Sequence, residues 1–141
     1  MVWHTLRADK MVVGFTFRPL HPVIGADFYD DWRKEFVRRG LVLRDIYSDE
    51  FVRSKKELRL AAEAPKEHFP SRYLPDSELP VTVQMDIYND VVAHYTWHES
   101  EVFGVEVYNA KIAAFYRRLF EFVWQHAKPV SAGTSEAKVR P

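Results

Sequence analysis

The sequence predicts an α/β fold, a mixed β-sheet with flanking helices, on three observations. An apolar run at 11–17, a helical pattern at 27–39 and a second apolar run at 41–46 follow one another at the spacing of a βαβ unit. Apolar and polar residues alternate with a period of two through 81–97, broken only at Asn89-Asp90. A last segment, 109–126, carries a broad apolar stripe at helical spacing. The chain has 141 residues, which suits one domain with its own core. That domain is expected to span 1–128, with 129–141 a disordered tail of small polar residues.

Taken in order, Met11 to Phe17 (MVVGFTF) is a buried strand, and Pro19 and Pro22 make the next segment a loop. From Asp27 to Arg39 the residues Phe28, Tyr29, Trp32, Phe36 and Val37 line one helix face. Glu35 and Arg39 pair on the outside, and Gly40 supplies a left-handed C-terminal cap. Leu41 to Ile46 returns as a strand parallel to the first. Glu50 to Ala64 is helical in pattern but polar, which suggests a marginal or mobile helix. Pro65, Pro70, Pro75 and Pro80 punctuate a long connector. In 81–97, Val81, Val83, Met85 and Ile87 alternate with Thr82, Gln84, Asp86 and Tyr88, and the pattern resumes after the turn, so the segment reads as a hairpin. Val102 to Tyr108 adds a third strand with Phe103, Val105 and Val107 on one face. Asn109 caps the final helix, whose stripe of Phe115, Tyr116, Leu119, Phe120, Phe122 and Val123 must be covered by a sheet or by another subunit.

Composition narrows function by exclusion. Hydrophobic residues make up 47% of the chain, which places it among globular proteins rather than disordered ones. Twenty basic side chains balance twenty acidic ones, so no global charge draws it to nucleic acid or to an anionic membrane. The absence of Cys removes thiol catalysis and thiolate metal sites. No apolar run is long enough to span a bilayer and no signal-peptide pattern opens the chain, so a cytoplasmic, non-membrane protein is expected. The charges are unevenly placed: between Arg72 and Lys111 stand seven acids and no base, leaving twenty bases against thirteen acids elsewhere. Such halves suit pairing between copies.

Candidate chemistry is sparse. His94 and His98 sit four apart in a strand, roughly 13 Å from each other, too far to share a metal. No nucleophile elbow, zinc-helix motif, phosphate loop or dinucleotide fingerprint is present, so no catalytic residue, metal or cofactor is expected. Acidic pairs such as Asp30-Asp31 and Asp86 with Asp90 read as solvated faces and turn residues. Tyr88 and Trp97 are able to stack on a ligand, although aromatics in alternating strands are more often core.

The C-terminal half, IYNDVVAHYTW and then GVEVYNAKIAAFYRRLFEFVWQHA, resembles the effector domain of TrmB-like archaeal and bacterial transcriptional regulators. Tyr88-Asn89-Asp90, Asn109, Ile112, Phe120-Glu121 and Trp124 stand at the matching places. VVGFTF, the helix ending KEFVRRG before LVLRDI, and Arg72-Tyr73-Leu74-Pro75 follow the same order, so the resemblance covers about 11–128. That effector domain is similar to one half of a phospholipase D-like fold, whose active members carry His-x-Lys-x4-Asp before the turn. With the acidic position on Asn89, the His and Lys positions fall on Thr82 and Gln84, which supply neither an activated nucleophile nor a cation.

The resemblance therefore implies a non-catalytic regulatory domain that binds a small-molecule effector, a sugar or other metabolite, at the same place. The candidate ligand residues are Thr82, Gln84, Tyr88, His94, Trp97 and His98. TrmB-like regulators place a winged helix-turn-helix before this domain. Met1 to Lys10 is too short for one, so direct DNA binding by this chain alone is not expected. A homodimer is expected, with Trp97, Phe103 and Trp124 as candidate anchors. The alternatives are a divergent phosphodiester-directed hydrolase using His94 or His98 as base, and a pure dimerisation module without ligand.

Overall fold

The computed structural model describes residues 2–98 and 101–130, and at its centre is the βαβ unit. Strand β1 (Met11–Thr16) leads through a one-turn helix α1 (His21–Ile24) into α2 (Ala26–Arg38), and β2 (Val42–Tyr47) returns parallel to β1, with Met11 opposite Val42. Helix α2 buries Trp32 and Phe36 and keeps the Glu35 pairs with Arg38 and Arg39 on its outer side. Gly40 stops it at φ +69°, a left-handed conformation that a side chain would strain.

The predicted hairpin is present as β4 (Gln84–Tyr88) and β5 (Val91–His98), antiparallel, with Tyr88 opposite Val91. Asn89 takes the positive φ of 47° that this two-residue turn requires. Strand β6 (Glu101–Tyr108) pairs antiparallel with β5. Helix α5 (Ala110–His126) then begins at Asn109, whose side-chain oxygen accepts from the backbone N–H groups of Lys111 and Ile112, each at 3.0 Å.

The structure departs from the sequence expectations at four places. The polar stretch 50–64 forms two helices, α3 (Asp49–Arg53) and α4 (Lys55–Glu63), anchored by buried Phe51, Val52 and Leu58. The proline-rich connector contains a short strand β3 (Ser71–Tyr73), parallel to β2. Residues 2–7 form a 3₁₀ segment that buries Val2, Thr5 and Leu6. The fold also continues past 128: β7 (Lys128–Pro129) pairs with β3, and Val130 packs against the cluster of Tyr47, Phe51, Val52 and Leu58. The rest of the tail expected to be disordered, 131–141, lies outside the described residues.

The seven strands form one mixed sheet in the order β6-β5-β4-β1-β2-β3-β7. Because side chains alternate along a strand, the sheet has two distinct faces. One carries Val12, Leu43, Tyr88, Tyr95 and Trp97 against α2 and the N-terminal segment. The other carries Val13, Ile46, Ile87 and Val92 against Ala113 and Phe120 of α5. The wide stripe of α5 is thus divided. Tyr116, Phe120, Val123 and Trp124 reach the sheet, while Phe115 and Phe122 each remain 64% exposed.

At its C-terminal end α5 is clamped to the sheet. Trp124 lies between two guanidinium groups, with Arg44 at 4.5 Å and Arg72 at 4.4 Å from its ring centre. Arg44 also makes a two-pronged ion pair with Glu121.

Candidate functional site

Three adjacent strands create a polar site in the middle of the sheet. Gly14 on β1 is opposite Asp45 on β2 and opposite Asp86 on β4. Equal register puts all three on the same face, so two carboxylates flank a position with no side chain. A methyl group on Gly14 would stand 2.3 Å from the Met85 carbonyl oxygen and 2.9 Å from Asp86 Oδ1. The glycine is what lets the Asp86 side chain lie where it does.

Hydrogen bonds join the carboxylates into one network. Thr16 Oγ1 donates to Asp45 Oδ2 at 2.7 Å. The Gln84 amide nitrogen donates to Thr16 Oγ1 at 3.1 Å and to Asp86 Oδ1 at 3.4 Å. The Tyr95 hydroxyl donates to Asp86 Oδ2. Asp45 and Gln84 are 6% and 5% exposed, yet Asp45 Oδ1 and Gln84 Oε1 accept from no group among the described residues. Burial pushes the Asp45 carboxyl up to about 8, opposed by the Thr16 hydrogen bond and the neighbouring Ile46 backbone N–H and reinforced by the nearby Asp86 charge. Asp86 is pushed up to about 6 by burial, opposed by its bonds from Tyr95 and Gln84.

Above this floor lies a cleft of about 290 Å³, closed by α2 on one side and by α3 and α4 on the other. Tyr29, Trp32, Tyr47 and Phe69 line its walls, with Tyr29 and Trp32 stacked at 5.7 Å. Charges of both signs border it: Asp30 and Glu57, Arg33 and Lys56. The cleft is of the size and mixed polarity that small-molecule sites have. Among the described residues no group of three or more His, Asp or Glu side chains is arranged to hold a metal.

Of the six ligand candidates, the cleft receives one, Gln84. Thr82 precedes β4 and is exposed. Tyr88 is on the same face but packed in the core, and Trp97, 9% exposed, lies on Phe17 at 4.6 Å. His94 faces the opposite side, edge-on to Tyr116 at 5.6 Å, and burial lowers its pKa. His98 is exposed, its Nδ1 3.0 Å from Arg18 Nη1. Of the three interface candidates, Phe103 is on the exposed surface, whereas Trp97 and Trp124 make the intramolecular contacts described above. The reading of Asp86 as a solvated residue is corrected: it is buried beneath the cleft. Asp45, Thr16 and Tyr95 have no role in the sequence reading, and it is the register of adjacent strands that brings them together with Asp86.

No protein-family model matches this chain, and no curated protein matches it. Solved structures similar to it include the following two. Nuc, a phospholipase D family member from Salmonella typhimurium, superposes with a TM-score of 0.68 at 11% identity, covering 91% of this chain and 87% of that one. TrmBL2, an archaeal chromatin protein with a novel mode of DNA binding, superposes with a TM-score of 0.64 at 16% identity, covering 91% of this chain. The chain spans 48% of the TrmBL2 chain. At these identities the likeness establishes the fold, which is phospholipase D-like.

Proposed function

We propose that this chain is a non-catalytic regulatory domain that senses a small molecule, built on a phospholipase D-like half. The observation that carries this reading is the cleft floor, where Asp45 Oδ1 and Gln84 Oε1 are buried and unpartnered beneath 290 Å³ of space. A folded protein rarely leaves buried acceptors without donors unless a ligand or solvent completes them. Catalysis has no comparable support. Gln84 stands where the resemblance puts the phosphate-binding lysine, Thr82 is exposed, and neither His94 nor His98 reaches the floor. The test has two arms. A metabolite panel should raise the thermal midpoint of the protein, and generic phosphodiesters should show no turnover. Turnover abolished by His94→Ala or His98→Ala would overturn the non-catalytic reading.

The same reading includes a homodimer. Strand β6 is an edge of the sheet, and its outer face joins α5 in one apolar surface. Phe103, Val105, Ile112, Phe115, Leu119 and Phe122 are all at least 40% exposed. A second copy related by a twofold axis would cover that surface and pair the edges. Light scattering should give twice the 16.6 kDa of one chain, and a mass of 16.6 kDa at micromolar concentration would end the idea. DNA binding belongs to TrmBL2 and is not proposed for this chain alone. No helix among the described residues is long and apolar enough to cross a membrane.

A further inference from the structure

With Asp45 ionised, the floor of the cleft has spent all its donors. The Thr16 hydroxyl proton goes to Asp45, both Gln84 amide protons go to Thr16 and Asp86, and the Tyr95 hydroxyl proton goes to Asp86. Reversing the Gln84 amide would set its oxygen against Asp86 Oδ1 and leave that carboxylate one donor short, so the network fixes the orientation. What then remains unpartnered on the two lining residues is acceptors only, the buried Asp45 Oδ1 and Gln84 Oε1. A ligand group seated there must donate at least two hydrogens.

Charge and surroundings select among donors. The floor holds two carboxylates flanking Gly14, and the groups acting on Asp45 include no cation. A hydroxyl brings no charge, so with it Asp45 either keeps its own proton or ionises uncompensated in a buried place, which is costly. An ammonium group brings three donors and the missing positive charge together. The walls are aromatic, with Tyr29, Trp32, Tyr47 and Phe69, and a cation already lies over one of these rings, Arg33 at 5.8 Å from the Phe69 centre. Arg33 and Lys56 stand at the border beside Asp30 and Glu57, so the border is of mixed sign and the selection falls to the floor.

We infer that the cleft binds a small primary ammonium compound, its charged nitrogen seated on Asp45 and Gln84 above Gly14. This rests on the ligand-sensing reading and names the class of ligand. Binding stabilises ionised Asp45. At neutral pH, where burial keeps this carboxyl protonated in the free protein, the amine should therefore displace a proton to solvent. The other titratable groups around Asp45 are Asp86, Tyr29, Tyr47 and Tyr95. The three phenols stay protonated at that pH, since burial raises all of them.

The experiment uses the full chain at pH 7 with n-butylamine and 1,4-diaminobutane as probes, and 1,4-butanediol and glucose as neutral controls. Amine at a hundred times its Kd should raise the thermal midpoint by roughly 5–10 °C, while the controls leave it unchanged. Calorimetry in buffers of different ionisation enthalpy should show proton release on amine binding. Asp45→Asn, checked for folding by circular dichroism, should weaken amine binding at least about tenfold, the effect of losing one charge-assisted bond. An amine response that persists in that variant, or amine binding without proton release, overturns the inference. If glucose or the diol binds and the amines do not, the ammonium assignment falls and the sensing reading stands. If neither these probes nor the wider metabolite panel binds, both fall.

Discussion

Asp45→Asn should make the unliganded protein more stable at neutral and mildly alkaline pH, and the magnitude follows from burial. The Asp45 carboxyl rises from 3.8 to about 8 in the folded chain. Between those values the native state keeps a proton that the unfolded chain has released. The stability associated with that proton is fully present below pH 3.8 and is lost as the pH rises to about 8. The slope is about 1.4 kcal/mol per pH unit, which amounts to about 4 kcal/mol between pH 5 and pH 8. Against the roughly 5–15 kcal/mol that hold a domain together, this is a large share. Asp86, raised to about 6, acts in the same direction over the acid part of the window. His94 acts in the opposite direction, because burial lowers its pKa and the folded state sheds its proton earlier. Glu35 and Glu106, both lowered, act below pH 4.5 and leave this window unchanged.

The amide variant keeps the shape and the Thr16 contact but cannot ionise. Urea unfolding followed by circular dichroism at pH 5, 6, 7 and 8 checks the expectation. The wild-type unfolding free energy should fall steadily across the series, the variant's should fall much less, and the curves should separate most at pH 8. A wild-type curve that is flat or rising from pH 5 to 8 would refute the reasoning. So would a variant less stable than wild type at pH 8.

Three further outcomes are expected. Gly14→Ala should destabilise the protein by about 1–3 kcal/mol, the usual cost of overpacking, since its methyl meets backbone at 2.3 Å; urea unfolding at wild-type values would count against the cradle. Trp124→Ala should remove about 3 kcal/mol of stability, as large aromatic truncations do, because Arg44 and Arg72 lose the ring between them. Its mass by light scattering should stay unchanged, and a fall in mass would place Trp124 in the interface. Phe115→Glu, at an exposed site, should convert the dimer to a 16.6 kDa species with little change in thermal midpoint. A variant that retains the dimer mass would move the interface elsewhere.

The fold was legible in the sequence wherever one residue pattern had one structural solution. The period of two in 81–97, interrupted at Asn89-Asp90, reads as a hairpin, found as strands over 84–88 and 91–98, and Asn109 before an apolar stripe opens a helix. What escaped depended on neighbours distant in the chain. Ser71–Tyr73 is three residues long and becomes a strand because β2 offers it an edge. Lys55–Glu63 is polar on most of its surface and is held as a helix by Leu58 in the third apolar cluster.

The site escaped for a sharper reason. Alternation tells which residues share a face, but not whether the polar face meets water. In β4 the face of Met85 and Ile87 packs toward α5, so Gln84 and Asp86 read as the outward set. The sheet, however, is covered on both sides, and the outward set is buried under α2. Gln84 was reachable through the resemblance, which aligned it with a catalytic lysine. Asp45 and Asp86 were not, because their meaning arises from a register across three strands with Gly14 between them.

Stability alone gives no reason to keep that arrangement. The surrounding positions on the same face are Val12, Leu43 and Ala93, and an apolar floor continuous with them would cost no desolvation. Instead the chain buries two carboxylates, leaves two acceptors unpartnered, and removes a side chain at Gly14 to fit one of the carboxylates. Each choice lowers the stability of the empty protein, and all three converge on one cleft. A cost concentrated at one place, beside helices that could have closed over it, is the pattern expected where selection favours binding over stability. On that argument a ligand that repairs the floor should also be the strongest stabiliser of the fold.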